Sequence, residues 1–212
     1  MRRIPIIIRS LLLFLILYAL ILFPKLDLNR YYAELFCYTG NYLFGDFSRG
    51  GYVNLQTQAD IKGNDIALFI SLKEWDIGGQ IKGVTANKAS DRIGFLITAF
   101  FIALTLATPV SWKRKLIALV SGFIFVTAFV MLKLYIIILQ TYTLVDWFGL
   151  FQEPSEKAII QMWYHRFAAP ATYGYSFVVI VWMALCLGRK EWKQINASFT
   201  GFMPDKDKST TH

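Results

Sequence analysis

Residues Leu116–Leu139 read LIALVSGFIFVTAFVMLKLYIIIL, a run of 24 residues whose one charge is Lys133. As a helix rising ~1.5 Å per residue, such a run is longer than the ~30 Å hydrocarbon layer of a bilayer. Lys113, Arg114 and Lys115 stand immediately before it. A charge within an apolar helix costs roughly 2.5–3.5 kcal/mol on insertion scales, so Lys133 must meet a partner, face a cavity or reach the surface along its own stem. The stretch predicts a membrane helix, and the rest of the chain is read outward from it.

The 212-residue chain is 56% apolar and 17% aromatic, with only 17% charged residues. Several nearly uncharged runs of about 20 residues are not what a soluble domain of this size contains. Besides the central run, spans are expected at Ile4–Phe23, Ile93–Val110 and Ala168–Leu187. The expected fold class is therefore an α-helical integral membrane protein with four transmembrane helices and a small extracytoplasmic antiparallel β module. The expected organisation is an anchor helix at 1–24, an extracytoplasmic module at 25–92, a three-helix membrane domain at 93–187 with an outer loop at 140–167, and a tail at 188–212. Arg2, Arg3 and Arg9 before Leu11–Phe23 look like the front of a signal peptide. Phe23-Pro24-Lys25 offers no small-residue cleavage site, so an uncleaved anchor is expected.

The net charge of +8 is a topology signal rather than a nucleic-acid signal. With the N-terminus cytoplasmic, the inner segments 1–10, 111–115 and 188–212 hold eleven basic and three acidic residues. The outer segments hold ten basic and eleven acidic. An excess of Lys and Arg on the inner side is what the positive-inside rule demands. The expected location is a bacterial inner membrane, N-in and C-in, with membrane lipids and a membrane protein as partners and no nucleic acid. Cys37 and Cys186 fall on opposite sides in that topology and cannot bond to each other. With no CxxC and no paired Cys/His spacing, neither a metal nor a cofactor is expected.

In the outer segment Pro24–Arg92, the aromatic-rich stretch Tyr31–Phe47 predicts a short interfacial helix, since aromatic rings favour the headgroup level. Val53, Leu55 and Thr57 alternate with polar residues, as do Ile66, Leu68, Ile70 and Leu72, with Ile81 and Val84 marking a weaker third run. The breaks Asp60–Asp65 and Asp76–Gly79 carry the Gly, Asn and Asp of hairpin connections. A small antiparallel sheet resting on the membrane domain follows, because an isolated hairpin is marginal in water. In the second outer segment, Glu153-Pro154-Ser155 reads as a break and cap before an amphipathic helix with Ile159, Ile160, Met162, Trp163 and Phe167.

Lys133, His165 and Arg166 form the candidate anion or client site. His165-Arg166 stands where the last span enters, so a helical bundle can bring both to Lys133 at the outer boundary and attract a carboxylate, a phosphate headgroup or an oxyanion. The plainer reading is a snorkelling lysine and ordinary boundary anchors beside Trp163 and Tyr164. Ser90, in Ser90-Asp91-Arg92, is a helix cap, or a nucleophile if His165 serves as its base. Cys37 in aromatic surroundings reads as buried and inert. Ala168, Ala169, Ala171, Gly174 and Ser176 permit close helix packing.

The order of these parts resembles the C-terminal half of the exosortase/archaeosortase family and its associated small membrane proteins. The hairpin segment looks like Gly51–Ala86, and the basic inner loop like Trp112-Lys113-Arg114-Lys115. The late basic residue of the family looks like Lys133 in Met131-Leu132-Lys133-Leu134-Tyr135, and the final polar position like His165. Ala89-Ser90-Asp91 stands where the family has its catalytic Cys-Ser-Gly, and lysine replaces an arginine whose planar fork grips oxyanions. The resemblance therefore implies a non-enzymatic accessory or scaffold in a bacterial envelope protein-sorting system. Its alternative is a cysteine-less peptidase or transpeptidase using Ser90 and His165.

Overall fold

The computed structural model describes residues 6–23, 26–47, 50–61, 64–77, 80–88, 91–145, 151 and 153–187. Six α-helices and a four-stranded sheet occur among them: α1 (Ile6–Ile21), α2 (Leu28–Phe44), β1 (Asp46–Phe47), β2 (Gly51–Ile61), β3 (Asn64–Ile77), β4 (Gln80–Lys88), α3 (Leu96–Ala107), α4 (Trp112–Leu144), α5 (Pro154–Trp163) and α6 (Thr172–Cys186). Two π-helical turns, Asp91–Phe95 and Tyr164–Ala168, lead into α3 and out of α5.

The expectation of four transmembrane helices is corrected here. α4, with 33 residues, is long and apolar enough to cross a membrane by itself. α5 with its π turn and α6 meet that test only together, as a pair bent by 61°. α1 has 16 residues, α3 has 12 and α6 has 15, against the ~20 that a span requires. Breaks in the chain shorten the apolar runs. α3 stops at Thr108, whose extended backbone leads into Pro109, and Pro170 lies between the two halves of the bent pair. A residue that precedes proline is pushed out of helical geometry. Moreover, Ile97, Ala99, Phe101, Ala103 and Ala107 of α3 are all buried. They pack against α1, α4 and α6, so the apolarity of α3 serves helix neighbours.

The helix contacts are close. Gly122 of α4 faces the Phe101 ring, Gly174 of α6 faces Ile97, and Gly94 faces Val130 and Tyr32. The small residues on the last helix thus include one, Gly174, that lets it meet α3. Phe100 takes the edges of Phe14, Tyr18 and Tyr175 at 5.3–6.0 Å between centroids, joining α1, α3 and α6.

The sheet has the order β1-β2-β3-β4, antiparallel throughout. β2 ends and β3 begins within the break Asp60–Asp65, and β3 ends within the break Asp76–Gly79. Side chains alternate across a strand, so Val53, Leu55, Ile66, Leu68 and Ile70 are buried on one face against α2 and α4. Beyond the two-residue β1, the edge of β2 would leave backbone groups open. Asn41 of α2 closes it: its Nδ2 donates to Leu55 O (2.8 Å) and its Oδ1 accepts from Leu55 N–H (2.7 Å). One amide side chain thereby stands in for a neighbouring strand. Gly40, one residue earlier, lies so near that a Cβ there would come within 2.6 Å of Leu55 Cδ1.

α2 begins three residues before the expected start at Tyr31 and stops before Phe47, which belongs to β1. Its outer stripe, Tyr31, Leu35, Tyr38 and Tyr42, is exposed, while Ala33, Phe36, Cys37 and Gly40 are buried. α5 starts with Pro154 at its first turn, where proline costs no hydrogen bond. Of its expected apolar face, only Ile160 is buried; Ile159, Met162 and Trp163 are exposed.

Candidate functional site

α4 is the axis of the molecule, and its two ends are tied down differently. At its start, Lys115 Nζ donates to Leu106 O (2.6 Å) and Arg114 Nε to Leu185 O (3.4 Å). Both acceptors sit in the last turns of α3 and α6, where carbonyls lack intrahelical partners and carry partial negative charge. Thr108 Oγ1 satisfies a further α3 carbonyl, Leu104 O (2.7 Å), and accepts from Trp182 Nε1 of α6 (2.8 Å). The basic cluster therefore acts as a helix-terminating clamp in addition to any role in topology.

At the far end, Tyr142 runs beneath the sheet. Its ring stacks on Phe47 at 5.3 Å, and its hydroxyl lies 3.1 Å from both Tyr52 O and Ser71 O. A phenol has one proton, so that proton is shared between two carbonyls from paired residues of β2 and β3. Tyr135, two turns earlier, meets Phe44 and Phe47. α4 thus continues as one rigid rod from the basic cluster into the sheet.

Lys133 lies between these ends. It follows Lys115 by 18 residues, or ~27 Å of helix, close to the thickness of a hydrocarbon layer. Its side chain is 2% exposed. Among the described residues, no hydrogen bond or ion pair holds its Nζ. One turn earlier, Phe129 stacks on Phe177 (4.4 Å) and packs against Phe167 (5.3 Å). That contact sets the Phe129–Lys133 stripe of α4 toward the π turn and α6. Seven residues further on is Gln140, 8% exposed, whose buried Oε1 has no hydrogen-bond partner among the described residues. Seven residues are nearly two turns, so Lys133 and Gln140 share one helix face ~10 Å apart along the axis.

His165 and Arg166 are carried by the π turn that packs on α4, and both are exposed. The His165 ring stands edge-on to Tyr164 at 5.4 Å. The turn thus brings His165 and Arg166 onto the segment that covers α4, while their side chains point outward and that of Lys133 is interior. Among the described residues, no hydrogen bond or ion pair joins the three. The arrangement supplies a buried cation, a buried unmatched acceptor at Gln140 and an exposed basic rim. The interior lysine and the exposed basic rim can each attract an anion.

Ser90 lies outside the described residues, as does the tail after Leu187. Cys37 and Cys186 are free and buried. Burial, and then the nearby Asp65 carboxylate, push the Cys37 thiol from 9.0 up to about 11. Among the described residues, no group of three or more His, Cys, Asp or Glu side chains gathers as metal ligands do.

Gln140, Tyr142 and Asn41 were absent from the sequence reading. The apolar run ends at Leu139, so the last turns of α4 fell into an assumed loop. The available signal was the spacing, since Lys133 and Gln140 are seven apart. Comparison of the chain with protein-family models, curated proteins and solved structures finds no match in any of the three.

Proposed function

We propose that this protein is a non-enzymatic membrane scaffold of the bacterial envelope, which holds the β module against the outer surface of the inner membrane and receives a client or lipid there. The observation that carries the reading is the continuity of α4. One helix of 33 residues starts at a basic cluster, contains an apolar stretch of membrane length and ends hydrogen-bonded beneath the sheet. In this reading the Lys113–Lys115 end is cytoplasmic, as the positive-inside rule favours, and the sheet is extracytoplasmic.

Lys133, with the His165–Arg166 rim, attracts the anionic group of the client or lipid. Among the described residues no counter-ion meets the buried Lys133, and ionisable residues inside membrane segments are functional-site candidates. The order of parts resembles that of exosortase-type proteins, and this resemblance supports a role for the scaffold in a protein-sorting system of that kind, as an accessory without the family's thiol.

The test is purification from native membranes in mild detergent, with mass spectrometry of co-eluting species. A stoichiometric membrane partner or bound anionic lipid, lost in Lys133→Met and kept in Ser90→Ala, supports the scaffold. A peptide adduct on Ser90, or loss of function in Ser90→Ala with normal insertion, rejects it in favour of the Ser90–His165 peptidase.

A further inference from the structure

The face of the sheet that does not pack on the helices carries a second set of groups. Tyr52, Asn54 and Gln56 alternate along β2 with the buried Val53 and Leu55, and so project together to the other side. Register places Phe69 of β3 between Asn54 and Thr85, and Ala67 opposite Gln56. These six residues line a cavity of about 300 Å³, at the lower end of the roughly 300–1,000 Å³ typical of small-molecule sites.

Two small residues shape it. Ala67 leaves a dip beside Gln56, where a larger side chain would fill the space. Gly83 leaves β4 bare where the Phe69 ring lies across it: a Cβ at Gly83 would come within 2.5 Å of Phe69 Cζ and of Ile70 O. A glycine inside a strand marks such a close approach, and here it lets an aromatic ring lie over the sheet as a platform. Among the described residues, the Asn54 and Gln56 amides make no hydrogen bond.

The lining selects its ligand by chemistry. Among the described lining residues there is no carboxylate, ammonium or guanidinium to compensate a charged ligand. Two primary amides and two hydroxyls can each donate and accept, which matches vicinal hydroxyl groups. A phenyl and a phenol ring offer flat apolar faces, which match the C–H faces of a pyranose ring.

We propose that this sheet face is a binding site for a neutral saccharide of one or two rings, with the sugar's C–H face on Phe69 and its hydroxyls on Asn54, Gln56 and Thr85. The site uses no residue of the Lys133 region and does not rest on the membrane reading. The test uses the full chain in lipid nanodiscs, titrated calorimetrically with cellobiose, maltose and N,N′-diacetylchitobiose as probes.

The expected result is binding of at least one probe, weakened tenfold or more, about 1.4 kcal/mol, by Asn54→Ala and by Ala67→Leu, and unchanged by Lys133→Met. Gln56→Ala, at an exposed position, serves as the second variant if Ala67→Leu does not fold. Failure of all three sugars to bind, or binding that survives both Asn54→Ala and Gln56→Ala, overturns the proposal. So does a stronger response to a sulfated saccharide or to an extended peptide at the same face.

Discussion

The two ends of α4 solve the same problem with different materials. At the basic end, flexible charged side chains reach the last carbonyls of α3 and α6. Those carbonyls lie at helix termini, where water or another donor can replace a lost partner. At the sheet end, one tyrosine is 1% exposed and touches two strands at once. There, shape and hydrogen bonding reside in a single residue, and nothing else can substitute for it. A charged clamp tolerates change, whereas a buried ring with a shared proton does not.

The sharpest way to break this contrast is Tyr142→Ala. Removing a buried aromatic ring costs ~3–5 kcal/mol, and Phe47 loses its stacking partner. Thermal unfolding in detergent should fall by the largest amount of any single change described here, with the sheet becoming protease-sensitive first. Tyr142→Phe keeps the ring and removes only the shared proton, while Tyr52 and Ser71 stay paired in the ladder, so it should cost only ~0.5–1.5 kcal/mol. If the two variants are equally damaging, the ring contributes nothing and the hydroxyl carries the joint.

Asn41→Leu comes next. It leaves both backbone groups of Leu55 open at the β2 edge, for a loss of ~1–3 kcal/mol and faster hydrogen exchange confined to β2. At the opposite end, Lys115→Ala should cost only ~0.3–1 kcal/mol, the usual worth of a cation at a helix C-terminus. That loss should shrink in high salt, while the Tyr142→Phe loss should not. A salt-independent Lys115 effect would mean that both ends are built alike.

The smallest effect is on pH response. Because the Cys37 thiol is raised from 9.0 to about 11, the neutral thiol is favoured in the folded state. Its contribution is fully present below pH 9, where the unfolded thiol is also protonated, and is lost as pH rises through about 11. Alkylation of Cys37 by iodoacetamide should therefore stay slow at pH 8 and accelerate only in the alkaline range. Rapid reaction at pH 8 would mean that α2 does not stay seated against the sheet.

The sheet was legible because a period of two survives in Val53-Leu55 and in Ile66-Leu68-Ile70-Leu72, and because Gly, Asn and Asp mark the turns. α4 was legible because no proline or glycine pair interrupts it. The count of spans was not legible, because hydropathy records how apolar a run is and not where its helix breaks or what covers it. Ile93–Val110 is apolar to the same degree as a span, yet a π turn opens it, Thr108-Pro109 closes it, and Phe101 seats it against Gly122. Lys133 was conspicuous from its charge alone. Gln140 and Tyr142 acquire meaning only from what the sheet and α5 bring to them, which is tertiary information.

The proposed crossing of α4 is tested most directly by cysteine accessibility. In a chain with Cys37→Ala and Cys186→Ala, single cysteines are placed at Trp112 and at Thr57, both exposed, and spheroplasts are treated with a membrane-impermeant maleimide. If α4 crosses the membrane, Thr57→Cys is labelled in intact spheroplasts and Trp112→Cys only after permeabilisation. Labelling of both positions from the same side would contradict it, and α4 would then be the core helix of a protein that does not cross the membrane there.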